Sequence, residues 1–264
     1  MGLGGALVLV VLSLLFGRDF FGAAAAGEPE YAAGAPVEAT PEEERLVDFV
    51  SFVLDTAQAT WNRVLSAQGI DYRPAKLVLF RDAVQSACGF GQSATGPFYC
   101  PGDRKIYVDL AFFAALDTRL GAPGDFAQAY VLAHEIGHHV QNVIGLMEIP
   151  HEDSNISVRL ELQADCLAGV WGHHANMEQM LQGGDLEEAL NAAAAVGDDR
   201  LQPGSVRPET FTHGSSAQRT AWFRRGVVSG QVGDCDTFST PHVAPSSGPE
   251  TRPTVHATSG RLHR

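Results

Sequence analysis

The chain has 264 residues, 45% of them hydrophobic, with a formal net charge of −13 and a pI near 5.1. That suits one globular domain of about 200 residues with tails. It argues against a nucleic-acid partner, because no basic run offsets the acidity.

Residues 2–16, GLGGALVLVVLSLLF, form an uninterrupted apolar run. As a helix the run covers roughly 22 Å at ~1.5 Å per residue, short of a ~30 Å hydrocarbon core. Two readings stand: a short membrane anchor completed by Phe20, Phe21 and the alanines after them, or a signal peptide cut after an A-x-A such as Ala24–Ala26. Residues 1–26 are assigned to this segment and 27–41, rich in Gly, Ala, Pro and Glu, to a linker. The folded domain is placed at 42–238, and the Ser/Thr/Pro/Gly/His-rich residues 239–264 are read as a disordered tail.

Residues 42–67 carry Leu46, Phe49, Val50, Val53, Leu54, Ala57 and Trp61 at helical spacing, which predicts an amphipathic helix. AKLVLF (75–80) is a strand candidate, and GPFYCPGDRKIYVDL (96–110) reads as a hairpin turning at Pro-Gly-Asp before a short helix. A long helix is predicted over 124–145, with Asp125 as N-cap, Gln128 as its capping-box partner and Gly145 as the stop. Further helices are predicted over 157–177, over 184–197 with Asp185 and Glu188 repeating the capping logic, and over 215–227.

Four cysteines behind an export-like segment suggest two disulfides. Of three possible pairings, Cys88–Cys100 is favoured because it crosses the hairpin region. Cys166–Cys235 then ties the end of the domain to a central helix.

The long helix contains VLAHEIGHHVQNVIG, with His134, Glu135 and His138 in the order H-E-x-x-H. Four residues turn a helix by about 400°, so His134 and His138 project from one face, one turn apart. That is the arrangement two imidazoles need to share a tetrahedral Zn²⁺. Glu135, beside them, is placed to accept a proton from the attacking water rather than to bind metal. Gly137 is expected to leave room beside the metal. A third ligand is needed, and the H-x-x-G-x-x-H extension is absent. ELQAD on the next helix supplies Glu161, giving a His₂Glu set, with Asp165 orienting a ligand histidine through its outer N–H. His139 is expected to be a core or supporting histidine, and His173 and His174 to favour the C-terminal end of their helix.

The stretches GPFYCP, YVDLAFF, GDFAQAYVLAHEIGHHVQN, SVRLELQADCLAGVW, GDDRLQ and FTHGSSAQRTAWFRRG together resemble the putative neutral zinc metallopeptidase family of bacteria, from about residue 75 to 238. The resemblance implies an envelope protein with one N-terminal hydrophobic segment. A more distant similarity is to the CAAX-prenyl and heat-shock membrane metalloproteases, which pair H-E-x-x-H with E-x-x-A-D and a later T-H-P…R segment. It implies that His213 contacts the oxyanion and that Arg219 supports the site. The sequence therefore predicts an α+β, zincin-like domain: a small sheet, with an edge near 85–100, packed on a bundle holding the H-E-x-x-H and E-x-x-A-D helices. It predicts one Zn²⁺ per chain, a peptide or protein substrate, and a single-pass membrane location with the domain outside the cytoplasm. The alternatives are a non-catalytic envelope module with a structural zinc, and a zinc amidase of the cell wall.

Overall fold

The computed structural model of the chain describes residues 40–92, 96–148, 154–201 and 210–239. Two compact units divide the chain, Met1–Glu42 and Glu43–Arg264. Nearly all of the first, with the expected anchor and linker, lies outside the described residues, as does the expected tail beyond Ser239. Among the described residues no helix is long and apolar enough to cross a membrane.

The second unit is α+β. Helix α1 (Pro41–Ser66) buries Val50, Val53, Ala57, Trp61 and Leu65 along one stripe, and Leu46, Phe49 and Leu54 pack at its margin. The stripe is the one that the 3.6-residue period predicts. Strand β1 (Lys76–Phe80) runs parallel to β5 (Lys105–Asp109), which pairs antiparallel with β4 (Phe98–Cys100); the sheet order is β1-β5-β4. The β4–β5 hairpin turns at Pro101-Gly102-Asp103, and Asp103 holds the turn by accepting from the backbone N–H of Lys105 and the hydroxyl of Tyr107. Strands β2 (Ala83–Ser86) and β3 (Gly89–Gln92) form a separate two-stranded ribbon. The sheet edge expected over 85–100 is therefore β4 alone. The ribbon is fastened to it by the Cys88–Cys100 disulfide.

Helix α2 (Leu110–Thr118) starts at β5, with Asp109 accepting from the N–H of Ala111 as a true N-cap. Helix α3 (Asp125–Val143) is buried along most of its length and packs on α4 (Ser154–Met177), α5 (Asp185–Ala195) and β4. A four-residue helix, α6 (Asp198–Leu201), precedes α7 (Ser216–Ser229), which begins with a Ser215/Gln218 capping box.

The N-terminus of α3 differs from its prediction. Asp125 is the first helical residue, and Gly124 occupies the cap position with no side chain to offer. The free N–H of Phe126 donates instead to Glu188 Oε2 on α5, at 3.1 Å. Glu188 is thereby diverted from the local capping box expected of it, and Gly184 is the N-cap of α5. One carboxylate caps a neighbouring helix and pins two helices together.

Helices α4 and α7 approach through glycine. A Cβ on Gly169 would collide with the backbone oxygen of Phe223, and one on Gly226 with that of Cys166. His173, predicted to serve the helix dipole, donates from Nδ1 to the Val227 carbonyl at 2.8 Å and ties the same two helices. His139 is a core histidine: Nε2 donates to the Arg73 carbonyl at 2.6 Å, and Nδ1 faces the Tyr99 hydroxyl at 2.9 Å. Both predicted disulfides are present, Cys88–Cys100 and Cys166–Cys235, and among the described residues no cysteine is free.

The Cys166–Cys235 bond spans 69 residues, so its loop closure removes about 4 kcal/mol of unfolded-state entropy. The Cys166→Ala/Cys235→Ala variant should lose about that much in chemical denaturation. A loss below about 1 kcal/mol would show that the hydrogen bonds from Gln163 to Cys235 and from Thr237 to Arg159 hold the turn Val232–Cys235 unaided.

Candidate metal centre

His134 and His138 lie one helical turn apart on α3, with ring centroids 4.8 Å apart. Glu161 reaches both from α4. Its Oε2 lies 3.1 Å from His134 Nε2 and its Oε1 3.4 Å from His138 Nε2. One ligand atom from each of the three residues falls within 4.8 Å of the others. The outer nitrogens are engaged: His134 Nδ1 donates to Asp165 Oδ1 at 2.8 Å, and His138 Nδ1 meets Gln141 Oε1 at 2.9 Å. Both rings therefore turn Nε2 toward the Glu161 carboxylate. Two imidazoles, each with its outer nitrogen hydrogen-bonded, and one carboxylate fit a zinc ion, which would take the place of the Nε2 protons.

Asp165 is fully buried and stays ionised. Burial pushes its carboxyl upward, but Arg219 and His134 outweigh that and hold it low. Arg219 on α7 grips it with two bonds, Nε to Oδ2 and Nη2 to Oδ1, both 2.8 Å. The Tyr130 hydroxyl donates to Oδ1 at 2.5 Å, and Arg219 Nη1 donates to the Val196 carbonyl. Burial pulls His134 down, yet Asp165 and Glu161 lift it to about 9. His138 is raised too, by Glu161 against its own burial. Burial pushes Glu161 up, but His138 and His134 hold it well below the carboxylate range. Both histidines thus favour holding a proton against Glu161, the place that a metal cation would take from it.

Glu135 is 6% exposed, and among the described residues no hydrogen bond holds its carboxyl. Burial raises its pKa, and the histidines beside it offset this in part. It faces a cleft of about 500 Å³ together with His134, His138, Glu161, Arg219 and His213. The walls are largely apolar: Phe98 from β4, Phe112 from α2, Leu120, Val131, Val196 and Leu201.

The structure thus brings every sequence-predicted site residue to one cleft or directly behind it. His213 lies at the cleft but not among the three converging groups. It is half exposed, and its Nδ1 is held by Asp198 Oδ1 at 3.0 Å. Asp198 escaped the sequence reading. Its Oδ2 accepts from three successive backbone N–H groups, those of Thr212, His213 and Gly214, which shapes the loop that carries His213. The GDDRLQ stretch was the only sign of it. Tyr130 and Gln141 were also missed, because a single helical sequence does not distinguish a core tyrosine or glutamine from one that supports a ligand. Gly137 has another role than the one expected. A Cβ there would stand 2.9 Å from the Ala164 oxygen, so this glycine admits the α4 backbone rather than a metal.

Comparison with known proteins agrees with this geometry. The family described as "Putative neutral zinc metallopeptidase" matches residues 1–238. The Escherichia coli K12 protein YpfJ, described as uncharacterized, is 45% identical over 251 residues, covering 90% of this chain and 87% of that one. The uncharacterized protein Mb2605 of Mycobacterium bovis is 42% identical over 203 residues, 70% of this chain and 68% of its own. No solved structure matches. Since the match runs through both helices that build the His₂Glu cluster, the chain belongs to the putative neutral zinc metallopeptidase family.

Proposed function

We propose that this chain is a zinc-dependent endopeptidase of the bacterial cell envelope. The observation that carries the reading is the convergence of His134, His138 and Glu161 beside a buried Glu135 that no hydrogen bond occupies among the described residues. His134 Nε2, His138 Nε2 and the Glu161 carboxylate would hold one Zn²⁺ per chain. When bound, zinc supplies Lewis acidity, bringing the pKa of a water toward ~7 and polarising a carbonyl. Glu135 accepts the proton of the attacking water on its carboxylate and returns it to the leaving amine. Its raised pKa suits a base that must release the proton again. Asp165, neutralised by Arg219, fixes the His134 ring. His213, its Nδ1 held by Asp198, turns Nε2 to the developing oxyanion.

The apolar cleft walls suit a substrate with a bulky hydrophobic side chain near the scissile bond. Strand β4 pairs only with β5 among the described residues, so an extended peptide can add to its other side through main-chain bonds. Two disulfides in a chain with the apolar run 2–16 support an oxidising compartment outside the cytoplasm, with residues 1–26 as the membrane attachment and 42–238 as the catalytic domain. A purely structural zinc site has no use for Glu135, so its presence favours the catalytic reading over the non-catalytic one.

Peptide-library digestion with the purified chain, with and without a chelator, tests the activity. The Glu135→Gln variant should fold and keep its zinc, yet lose about 10²–10⁴-fold in turnover. Glu161→Gln should lose zinc affinity and activity together. Equal zinc loss in the two variants would show that the ligand assignment is wrong, and undiminished cleavage by Glu135→Gln would remove the mechanism.

Zinc affinity should also depend on pH. The raised imidazoles, with His134 at about 9, make metal and protons competitors for the same nitrogens. Apparent affinity should therefore rise with pH, by roughly tenfold per unit for each proton displaced, and level off above about pH 9. Chelator competition between about pH 6 and pH 9 reads this. A flat profile would mean that no imidazole proton is exchanged for metal.

A further inference from the structure

Gln141 follows His138 by three residues on α3, so the two side chains share a helix face. Its amide is fully buried and its direction is fixed. Nε2 donates to the Leu160 carbonyl at 2.7 Å and to Gln163 Oε1 at 3.0 Å. A backbone carbonyl can only accept, so the amide nitrogen must face Leu160 and the amide oxygen must face His138. Gln163 is oriented in the same way, because its Nε2 donates to the Cys235 carbonyl at 3.1 Å. Cys235 belongs to the turn Val232–Cys235, which the disulfide to Cys166 fastens to α4. The turn is held a second time beyond it, where Thr237 Oγ1 donates to the Arg159 carbonyl at 2.8 Å and Arg159 donates back to the Thr237 carbonyl.

We propose that Gln141 is a positioning residue for the metal centre. It accepts the Nδ1 proton of His138 and so holds that ring in the tautomer that presents Nε2 to the metal. Gln163 and the disulfide-anchored C-terminal turn are the frame that aims it. Two buried amides in place of apolar side chains are costly unless their hydrogen bonds are made, and here they are made to groups that cannot swap roles. The choice of a neutral amide also has a chemical consequence. The charge of Asp165 behind His134 is cancelled by Arg219, and Gln141 behind His138 brings none. Glu161 is left as the one charged ligand among the three, which keeps the site an effective Lewis acid. The proposal rests on the reading that His138 ligates zinc through Nε2.

The test begins with the native full-length chain, loaded with zinc and labelled at histidine nitrogen. Long-range nitrogen–proton NMR should place the His138 proton on Nδ1 and the metal on Nε2. An unliganded His138 would overturn the metal-site reading itself, and metal on Nδ1 would overturn this proposal. The Gln141→Leu variant should then bind zinc about 10- to 100-fold more weakly in chelator competition, with an altered visible spectrum when loaded with cobalt. Gln141→Glu keeps the acceptor for His138 but sets an oxygen against the Leu160 carbonyl, so it should recover only part of the affinity. His138 bound through Nε2 together with native zinc affinity in Gln141→Leu would overturn the positioning role while leaving the metal site intact. If Gln141→Leu does not fold, Gln163→Leu stands one bond further back. It should weaken zinc binding by a smaller factor, and unchanged binding there would equally overturn the proposal.

Discussion

Asp165 has no contact with solvent, and an unpaired carboxylate in such a place would lose many kcal/mol of hydration. Three helices answer that single charge. Arg219 comes from α7 with a two-pronged grip, Tyr130 and His134 come from α3, and Asp165 itself stands on α4. Buried ion pairs contribute little net stability over apolar packing, but removing one partner is severe, because the other is left alone. The pair therefore acts less as glue than as a condition on geometry. The three helices can pack only where these four side chains meet, and where they meet, His134 points at Glu161.

The two histidines are supported differently. One leans on a carboxylate whose charge is cancelled behind it. The other leans on a neutral amide tied to the last turn of the domain. Nothing in H-E-x-x-H requires that asymmetry; it follows from what α4 presents at Asp165 and Gln163. The cleft in front is lined both by these ionisable groups and by apolar side chains, among them Phe98 from the sheet edge and Phe112 from α2.

Legibility in the sequence followed the distance over which each feature is decided. The stripe of α1, the Pro-Gly-Asp hairpin and the one-turn spacing of His134 and His138 are set by residues within a few positions of each other, and all were readable. Glu161 and Asp165 were readable because their own spacing places both on one helix face. The α3 cap was not, since Glu188 comes from 62 residues away and local chemistry offered Asp125 instead. The parallel pairing of β1 with β5 and the separate β2–β3 ribbon are decided by which strands meet after collapse. Asp198 and Gln141 look like ordinary polar residues until the loop or the helix opposite is in place. Gly137 was singled out correctly but for the wrong neighbour, because a glycine announces close approach without naming what approaches.

The glycine crossing of α4 and α7 bears on how this protein tolerates change. Glycine inside a helix usually costs about 1 kcal/mol against alanine, so replacing it is a standard route to a more robust protein. At Gly169 and Gly226 the sign reverses, because the smallest possible addition meets the partner backbone. A methyl group there pushes α7 outward, and Arg219 moves with it. In a random mutagenesis screen these two positions would score with the ligands, although neither carries a functional group. Inherited variation should be as sparse at this crossing as in the cleft.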